Sequence, residues 1–389
     1  MPSLVQPDFR ALRREFPLLD RKVYLNTGSY GALANAVKAA FETYLEDRLR
    51  VGASWDAWVG KLESVRALTA TLLGTQPAEI AVTGSVSDGL NALASALDFS
   101  GPRNKVVTSD FEFPTNAQIW HAQEPRGARV VHVHCDADGY IPAESFASAI
   151  DETTRLVAIT HVCYRNGARL DIPGIVRIAR ASGAQVLLDC YQSVGSMELD
   201  VRALDLDFAV GGMFKYLLGT AGIGFMYVRG ALIPALVPTH SGWFAQSDIG
   251  AMDISANRPA PSARRFEAGA PPVPNCYAAE AGLALVRSIG TAAIGARNEG
   301  LSRRCMQRLE EIGWPSVTPA ADARRGAMVA VPARDAPALT RALLERDIIT
   351  SQRGGNIRAS FHFYNDDDDI ETFIAAMREL RAHHAASGR

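Results

Sequence analysis

The segment LLDCYQSVGSMELDVRALDLDFAVGGMFKYLLGTAGIGFMYVR, residues 187–229, decides the fold class. Two nearly continuous apolar runs, DFAVGG (207–212) and GIGFMYVRG (222–230), lie within it, and the run AQVLLDC (184–190) overlaps its start. Short runs that are apolar at almost every position are typical of strands buried on both faces of a sheet. The segment therefore predicts neighbouring buried strands, with Lys215 in the apolar stretch between the last two.

Lys215 has two interpretations from this stretch alone. A lysine can lie along an apolar surface with its amine in water. Alternatively, burial lowers the pKa of the amine and frees its lone pair for chemistry. The rest of the sequence has to decide between a solvated lysine and a reactive one.

Outward from this segment, strand and helix patterns alternate along the chain. Helical patterns occupy residues 142–151 and 172–182, and Asp171 stands where the N-cap of the second would be. Further strand-like runs are NKVVTSD (104–110), ARVVHVH (128–134) and TRLVAITHV (154–162). Strands that alternate with helices predict an α/β fold whose mainly parallel sheet is covered on both sides.

A proline-rich stretch at residues 259–274 indicates a crossing into a second domain. Beyond it we expect helices around residues 276–290 and 300–313 and from about residue 369 to 383, and strands at 328–333 and 356–364. The predicted organisation is a large domain at residues 21–262. A smaller α+β domain would combine residues 1–20 with residues 263–389.

The composition excludes several classes of protein. The chain has 389 residues, is 48% hydrophobic and carries a net charge of −2, which favours neither nucleic acid nor an anionic membrane as a partner. The N-terminal stretch does not have the pattern of a secretory signal, and no apolar run is long enough to span a bilayer. The five cysteines form no CxxC pair, so we expect neither a disulfide framework nor a structural metal site, and a cytoplasmic location.

Three other features predict a site together with Lys215. Asp189 ends a predicted strand, and ligands of open α/β sheets bind beyond the carboxyl ends of strands. The stretch VTGSVSDGL (82–90) joins a strand to a helix whose free N–H groups, with the hydroxyls of Ser85 and Ser87, suit a phosphate. Phe113 follows another strand and could cover a planar ligand. A phosphate cup, a carboxylate, an aromatic cover and a lysine for a Schiff base are what pyridoxal 5′-phosphate (PLP) requires.

The chain also resembles a known family over nearly its whole length. The matching blocks include VYLNTGSYGAL (23–33), SDFEFPTN (109–116), THVCYRNGARLDI (160–172) and, as the most specific, residues 187–229. In this order they are similar to the class V aminotransferase group of fold type I PLP enzymes, which includes cysteine desulfurases, kynureninases and isopenicillin-epimerase-like proteins. The resemblance implies a seven-stranded, mainly parallel sheet in the large domain and a homodimer with active sites at the subunit interface.

The resemblance assigns roles residue by residue. Lys215 matches the Schiff-base lysine and Asp189 matches the partner of the pyridine nitrogen. The other positions that match cofactor contacts are Ser85, Val86, Ser87, Phe113, Tyr164, Gln192 and Trp243. Arg358 matches the arginine that binds the substrate α-carboxylate, which implies an α-amino acid as substrate. Asn26 and Thr27 are expected to border the substrate, and Arg165 matches either a second anion contact or an ion pair.

The departures from the family pattern bear on the reaction. Cysteine desulfurases carry a mobile loop with a nucleophilic cysteine, whereas TSQRGGNIR (350–358) is short and has no cysteine. Phe113 and Phe214 stand where desulfurases have histidines, and Ala270 replaces a threonine of a cross-subunit phosphate contact. The expected activity is therefore a lyase that cleaves a bond at the β-carbon of an amino acid or its conjugate, as a C–S lyase or a kynureninase-like enzyme.

Other functions stay open from the sequence. Transamination, epimerisation and decarboxylating deamination use the same scaffold, and a cysteine desulfurase or a PLP-binding protein without turnover are further alternatives. A nicotinamide-binding protein is disfavoured because no GxGxxG follows a first strand. The side chain of the substrate and the pathway do not follow from the sequence.

Overall fold

Seven strands form the central sheet of the protein, and the structure, a computed structural model, describes residues 7–385. The strands in chain order are β1 (Val23–Tyr24), β2 (Ile80–Thr83), β3 (Lys105–Ser109), β4 (Arg129–Val133), β5 (Thr154–Thr160), β6 (Gln185–Asp189), β7 (Phe208–Gly212), β8 (Gly224–Val228), β9 (Met328–Pro332), β10 (Ile348–Ile349), β11 (Ser351–Arg353) and β12 (Asn356–Ser360). The central sheet has the order β2-β8-β7-β6-β5-β3-β4.

The central sheet is mainly parallel, as the sequence predicts. Strands β4, β3, β5, β6 and β7 pair in parallel, and β8 runs antiparallel to both of its neighbours, β7 and β2. The carboxyl ends of β5, β6 and β7 therefore lie at one edge of the sheet. That edge is where a parallel sheet binds ligands.

Both faces of the central sheet are covered, which explains the near-continuous apolar runs. Residues of β6 alternate between two core clusters: Leu188 and Cys190 pack in one, and Leu187 packs in the other. Asp189, two residues after Leu187, ends the strand with its side chain on the opposite face from that of Cys190. This confirms the opposite orientation expected for the two residues.

Helices cover the sheets and form the outer layers. In chain order they are α1 (Phe9–Arg13), α2 (Asn35–Arg50), α3 (Trp55–Leu72), α4 (Val86–Ala96), α5 (Pro114–His121), α6 (Ile172–Ala181), α7 (Val273–Ile289), α8 (Thr291–Glu311), α9 (Ala336–Leu344) and α10 (Asp367–His384). The predicted N-cap of α6 is confirmed, since the Asp171 side chain accepts a hydrogen bond from the Gly174 N–H at 3.1 Å. Asp366 caps α10 in the same way, through the Asp369 N–H at 3.1 Å.

The smaller α+β part contains an antiparallel sheet of order β11-β12-β9. Helices α8, α9 and α10 contribute to a separate apolar core behind it, which includes Leu309, Leu343 and Phe373. The short stretch TSQRGGNIR (350–358) contains a tight hairpin. Its strands β11 and β12 are joined by two glycines, Gly354 and Gly355, with φ of 57° and 79°. Such left-handed backbone conformations favour glycine.

One predicted helix is wrong. Residues 142–151 form only a short 3-10 turn, Ala143–Phe146, followed by turns. Phe146 and Ile150 are nonetheless buried, four residues apart, as in a helix. Turns satisfy the same burial pattern here, and the serines of the segment compete for backbone hydrogen bonds, which weakens a short helix.

The N-terminal segment contacts the smaller part. Arg13 donates hydrogen bonds to the Asp369 carboxylate at 2.8 and 2.9 Å and to the Tyr364 carbonyl at 2.7 Å. Phe16 packs against Tyr364 with 4.6 Å between ring centroids. These contacts agree with placing the N-terminus in the small domain, and the exact boundaries stay a prediction. Residues 1–6 and 386–389 of that prediction lie outside the described residues.

The described helices include none that could cross a membrane, since none combines sufficient length with sufficient apolar character.

Candidate active site

Lys215 and Asp189 lie at the carboxyl edge of the central sheet. Asp189 is the last residue of β6, and Lys215 follows the end of β7 by three residues. The Nζ atom of Lys215 lies 4.2 Å from the centroid of the Tyr191 ring, and the Tyr191 N–H donates to Asp189 Oδ1 at 2.9 Å. The fold therefore brings together the amine and the carboxylate that the sequence selected.

The two groups shift each other's pKa. Burial lowers the pKa of Lys215 to about 8, the charge of Asp189 raises it, and the charges of Arg358 and Arg353 lower it. Burial raises the pKa of Asp189, against the opposing effects of the Tyr191 N–H and Lys215. A lysine whose pKa lies this near neutrality has an accessible lone pair, so the reactive interpretation of Lys215 is the one that the structure favours.

The backbone around Lys215 is held from both sides. The Gly31 N–H donates to the Phe214 carbonyl at 2.8 Å, and the His362 Nε2–H donates to the Tyr216 carbonyl at 3.0 Å. A Cβ on Gly31 would lie 2.5 Å from the Lys215 carbonyl oxygen, so only glycine permits this approach. Lys215 is therefore fixed by contacts from segments far away in the sequence.

Aromatic rings surround the Lys215 amine. Phe113, which the sequence selected, has its ring centroid 5.9 Å from Nζ, and Phe214 has its centroid at 6.0 Å. Phe113 is 45% exposed and meets the Tyr164 ring edge-on at 5.1 Å. An exposed aromatic face beside a buried amine suits a planar ligand.

Tyr191 is a site residue that the sequence reasoning missed. It is closer to the amine than Phe113 is, and its ring packs on the backbone of Gly212, where a Cβ would lie 2.0 Å from the ring. Its position, two residues after Asp189 in DCYQ, was the available signal.

Glu112 was missed as well and lies behind the site. Its carboxyl group is buried and accepts hydrogen bonds from the Ser109 hydroxyl and the Thr160 N–H, both at 2.9 Å, and from the Asn116 amide at 2.5 Å. Burial, and then the charge of Asp189, raise its pKa to about 8. The motif SDFEFPTN contained this residue, but only the fold shows its proximity to Asp189.

The segment that was predicted to bind a phosphate is the start of α4. The Ser85 hydroxyl accepts from the Asp88 N–H at 3.1 Å, so Ser85 is also the N-cap of the helix that begins at Val86. The Ser87 hydroxyl lies 3.5 Å from that of Thr115. A Cβ on Gly224 of β8 would lie 3.3 Å from the Val86 nitrogen, so the helix start packs closely on the sheet. Free N–H groups and the positive end of the helix dipole can hold a phosphate there.

Gln192 follows Asp189 by three residues in the chain. It is buried, and its side-chain amide donates to the Gly28 carbonyl at 2.9 Å. Asn26 pairs with Ser360 as an isolated β-bridge, and its buried side-chain oxygen has no hydrogen-bond partner within residues 7–385. The Thr27 hydroxyl lies 2.5 Å from the Tyr364 hydroxyl, so it is engaged in the interior of the protein.

Arg358 is buried on β12 and contacts only neutral acceptors. It donates to the Tyr164 carbonyl at 2.6 Å and to the hydroxyls of Ser29 and Ser351, both at 2.9 Å. Its Nε is buried without a partner in the described part of the chain. Burial, and then the charge of Arg353, lower the pKa of Arg358 to about 10. A guanidinium without a carboxylate partner is suited to binding an anionic ligand.

The two remaining predicted residues have different surroundings. Arg165 donates to the Asp110 carbonyl, and its guanidinium lies 5.9 Å from the centroid of the Tyr164 ring. Trp243 meets Trp55 edge-on at 5.7 Å. Its other aromatic contact among the described residues is Phe244, with 4.7 Å between ring centroids.

The chain belongs to the class-V aminotransferase family. The family model "Aminotransferase class-V" matches residues 55–373. The chain is 33% identical over 371 residues to the "Uncharacterized aminotransferase YcbU" of Bacillus subtilis (strain 168), covering 95% of this chain and 98% of that protein.

Solved structures share the fold over the whole chain. The apo structure of a cysteine desulfurase from Thermococcus onnurineus NA1 has a TM-score of 0.87 and 25% identity, with 98% of this chain and 99% of that chain covered. The cystine C–S lyase C-DES, solved with its product cysteine persulfide, has a TM-score of 0.85 and 22% identity, with 94% and 99% covered. The fold is therefore that of the fold type I PLP enzymes.

The cofactor of this family is PLP, and the residues present fit it. The helix start at Ser85–Ser87 offers N–H groups and hydroxyls to a phosphate. The Lys215 amine has a lowered pKa, as reaction with an aldehyde requires, and Asp189 is a buried carboxylate beside it. Phe113 and Tyr191 supply aromatic faces for a planar ring. This combination has no other evident ligand among common cofactors.

Proposed function

We propose that this protein is a PLP-dependent lyase that acts on an α-amino acid or its conjugate and breaks a bond at the β-carbon. A C–S lyase is the specific form that we favour, and a kynureninase-like lyase shares the same requirements. The observation that carries the proposal is the juxtaposition of Lys215, whose pKa is lowered to about 8, with Asp189 and with an arginine, Arg358, that has no acidic partner among residues 7–385.

The cofactor, when bound, supplies an electron sink for negative charge that develops at the substrate α-carbon. Lys215 would hold the cofactor covalently and then move the proton at the α-carbon, which its lowered pKa suits. Asp189 would keep a proton on the pyridine nitrogen through its negative charge. Gln192, Phe113 and Tyr164 are the further ring contacts that we propose, with Ser85, Val86 and Ser87 as the phosphate contacts and Trp243 near the phosphate.

Arg358 would bind the α-carboxylate of the substrate. Its fork of N–H donors can grip a carboxylate bidentately, and its neutral present partners, Ser29 and Ser351, hold the guanidinium without neutralising its charge. Asn26 has a buried, unpartnered oxygen and could accept from the substrate amine. Thr27 is engaged by Tyr364 and would position this segment, without touching the substrate.

The distribution of thiols argues against desulfurase chemistry. Cys163, Cys190, Cys276 and Cys305 are buried, and burial raises the pKa of each thiol, which suppresses the reactive thiolate. Cys135 is exposed, but it follows the edge strand β4. The segment before Arg358 is a tight hairpin and carries no cysteine.

An aminotransferase is the second candidate, because the Bacillus subtilis relative carries that name. Lys215, Asp189 and Arg358 would serve either reaction, since both begin with removal of the α-proton. Epimerisation and decarboxylating deamination would also use these residues. What happens at the β-carbon separates the lyase from the others.

The deciding experiment is product analysis of the holoenzyme with a panel of amino acids and thioether conjugates. A C–S lyase releases a keto acid, ammonia and a thiol in equal amounts, and a kynureninase-like lyase releases alanine. A keto acid with accumulation of the pyridoxamine form of the cofactor would show a transaminase and contradict the lyase. Arg358→Lys should lower kcat/KM for amino acids strongly and leave the cofactor spectrum unchanged, because the charge stays but the fork is lost.

A variant with all five cysteines changed to serine or alanine separates the lyase from a thiol-dependent enzyme. We expect the variant to keep its core chemistry, with Cys163 the one substitution that lowers the rate, through packing. Loss of turnover on changing any one of the other four alone, with folding and cofactor content intact, would overturn the lyase in favour of a persulfide mechanism.

A further inference from the structure

Three arginines without acidic partners meet at the hairpin that carries Arg358. Arg358 and Arg165 donate to neutral acceptors, and Arg353 donates only to the carbonyl of its neighbour Gln352. Within residues 7–385 none of the three forms a salt bridge. By contrast, Arg308 and Arg180 on the surface pair with carboxylates. Unpaired guanidinium groups this close together repel one another, so an arriving anion is favoured.

The register of the hairpin places Arg353 on the same face as Arg358. Ser351 pairs directly with Arg358 across the two strands, and its hydroxyl accepts from the Arg358 guanidinium at 2.9 Å. Side chains two residues apart along a strand project to the same face. Arg353 follows Ser351 by two residues and therefore lies on the Arg358 face, one step nearer the turn. The charge of Arg353 lowers the pKa of both Arg358 and Lys215, which agrees with this placement.

Arg165 lies beside the same hairpin turn. A Cβ on Gly354 would lie 3.8 Å from the Arg165 Cδ, so the Arg165 stem packs beside the hairpin turn. The nearby Asp110 carboxylate accepts from His134 at 3.1 Å and from the Cys135 N–H at 3.2 Å, and its charge raises the pKa of Arg165 without forming a salt bridge within residues 7–385. The Arg165 guanidinium itself donates to the Asp110 carbonyl.

These charges exceed what a simple amino acid and the cofactor require. Asp189 offsets Lys215, the α-carboxylate would offset Arg358, and the cofactor phosphate would lie at Ser85–Ser87. Arg353, which donates only to the Gln352 carbonyl, is left without an anion. We infer, resting on the proposed function, that the substrate carries a second anionic group on its side chain, a carboxylate or a phosphate, and that Arg353 selects it at the mouth of the site.

Equilibrium binding to the holoenzyme tests this inference without turnover. The ligands are α-methyl-L-aspartate and α-methyl-L-glutamate, each against its side-chain amide, and α-methyl-O-phosphoserine against α-methylserine. None of them has an α-hydrogen to lose. Titration calorimetry and the cofactor spectrum give the Kd values. Comparison of the aspartate and glutamate pairs with the phosphoserine pair shows whether the site prefers a side-chain carboxylate or a phosphate.

The expected result is that the anionic member of at least one pair binds ~10-fold or more tightly than its neutral isostere, since a charge-assisted hydrogen bond contributes about 1.4 kcal/mol or more. Arg353→Gln should reduce that ratio to within ~2-fold, and added salt should reduce it in the wild type. Arg346→Gln, an equally simple change on an exposed arginine outside the hairpin, should leave the ratio unchanged.

Two results would overturn the inference, and they separate it from the proposed function. Equal affinity within every anionic and neutral pair would remove the second anion, and a ratio that survives Arg353→Gln would remove Arg353 as the residue that selects it; either result leaves the amino-acid lyase standing. Failure of every ligand to bind or to perturb the cofactor spectrum would overturn both, because no α-amino acid would then be accommodated.

Discussion

The Lys215 amine combines a strongly hydrated group with an apolar environment. Burial lowers its pKa to about 8, and the nearby Asp189 limits the decrease because its negative charge favours the ammonium form. The two effects together set how much neutral amine is present near pH 7. The pKa of this residue is therefore set by burial and by the neighbouring charges, above all that of Asp189, and it can be measured.

We predict that the rate at which the apo protein captures PLP rises with pH with a midpoint near pH 8, because only the neutral amine reacts and the pKa of Lys215 is about 8. An unperturbed lysine would give a midpoint near pH ~10.4. Asp189→Asn removes the charge that raises this pKa, so its midpoint should move to lower pH. Stopped-flow absorbance of the apo protein mixed with PLP provides the rates.

Lys215→Ala is the negative control for that series and should show no covalent capture while the far-UV circular dichroism stays native. Asp138→Asn, an exposed change in the loop after β4, should keep the wild-type midpoint. A midpoint that rises in Asp189→Asn would show that the carboxylate does not act on Lys215 through its charge.

Glu112 is a second buried carboxyl group, and it joins three segments of the chain. Its oxygens accept from Ser109 at the end of β3, from Asn116 on α5 and from the N–H of Thr160 on β5. Glu112→Ala leaves these donors buried without an acceptor. We predict a loss of about 3 kcal/mol in the free energy of unfolding, which urea denaturation of the apo protein measures.

The matched control is Glu124→Ala, which removes an exposed carboxylate whose partner is His121 at 3.1 Å. Such surface pairs contribute ~0–1 kcal/mol, so its unfolding curve should nearly superimpose on that of the wild type. Equal destabilisation by the two changes would contradict the role of Glu112 as a buried acceptor.

At the scale of elements, the β11–β12 hairpin places the arginines of the site. Its two-residue turn has Gly354 and Gly355 in left-handed conformations, which set the register of Ser351 opposite Arg358. A register shift by one residue would send Arg353 to the other face. The turn glycines therefore act on the site through strand pairing.

We predict that Gly355→Val destabilises the protein by about 1–2 kcal/mol, because a β-branched residue is strained at a φ of 79°. It should also weaken amino-acid binding, since Arg358 and Arg353 depend on this pairing. Gly355→Asn is the matched control and should have a smaller effect on both, because asparagine tolerates this conformation. Thermal unfolding and calorimetric titration give the two quantities, and equal effects of valine and asparagine would refute the strain.

At the scale of the whole molecule, exposed apolar side chains are concentrated on particular segments. Leu45 and Leu49 lie one turn apart on α2 and are 58% and 89% exposed, and Trp55 at the start of α3 is 46% exposed. Ile254 is fully exposed in the loop before the proline-rich stretch. Large apolar side chains in water are costly when they cluster, so these surfaces favour a protein partner.

We predict a homodimer that buries Leu49. Sedimentation velocity of the wild type should give twice the mass of the chain, and Leu49→Glu should shift the population toward monomer because a buried carboxylate is penalised. Leu344→Glu, which alters an equally ordinary exposed leucine on α9, should keep the wild-type state. A monomeric wild type at micromolar concentration would contradict the prediction.

The sequence by itself determined the class of fold and the central pair of the site. Strands buried on both faces require near-continuous apolar runs, and those runs predicted the parallel sheet at β3 to β7. Asp189 and Lys215 were found because each follows the carboxyl end of such a strand, and adjacent parallel strands bring these ends together. The helix cap Asp171 was found because capping is a local interaction.

Only the tertiary structure decided which distant side chains meet. Arg358 contacts Ser29, more than 300 residues away in the chain, and Arg353 acts on Lys215 from more than 100 residues away, since both depend on how the hairpin packs against the large sheet. Residues 142–151 fold as turns because the packing of neighbours, which periodicity does not contain, overrides a weak local preference. Local sequence patterns determine most helices and strands, whereas the burial of Lys215, the charges around it and its pKa are properties of the folded chain.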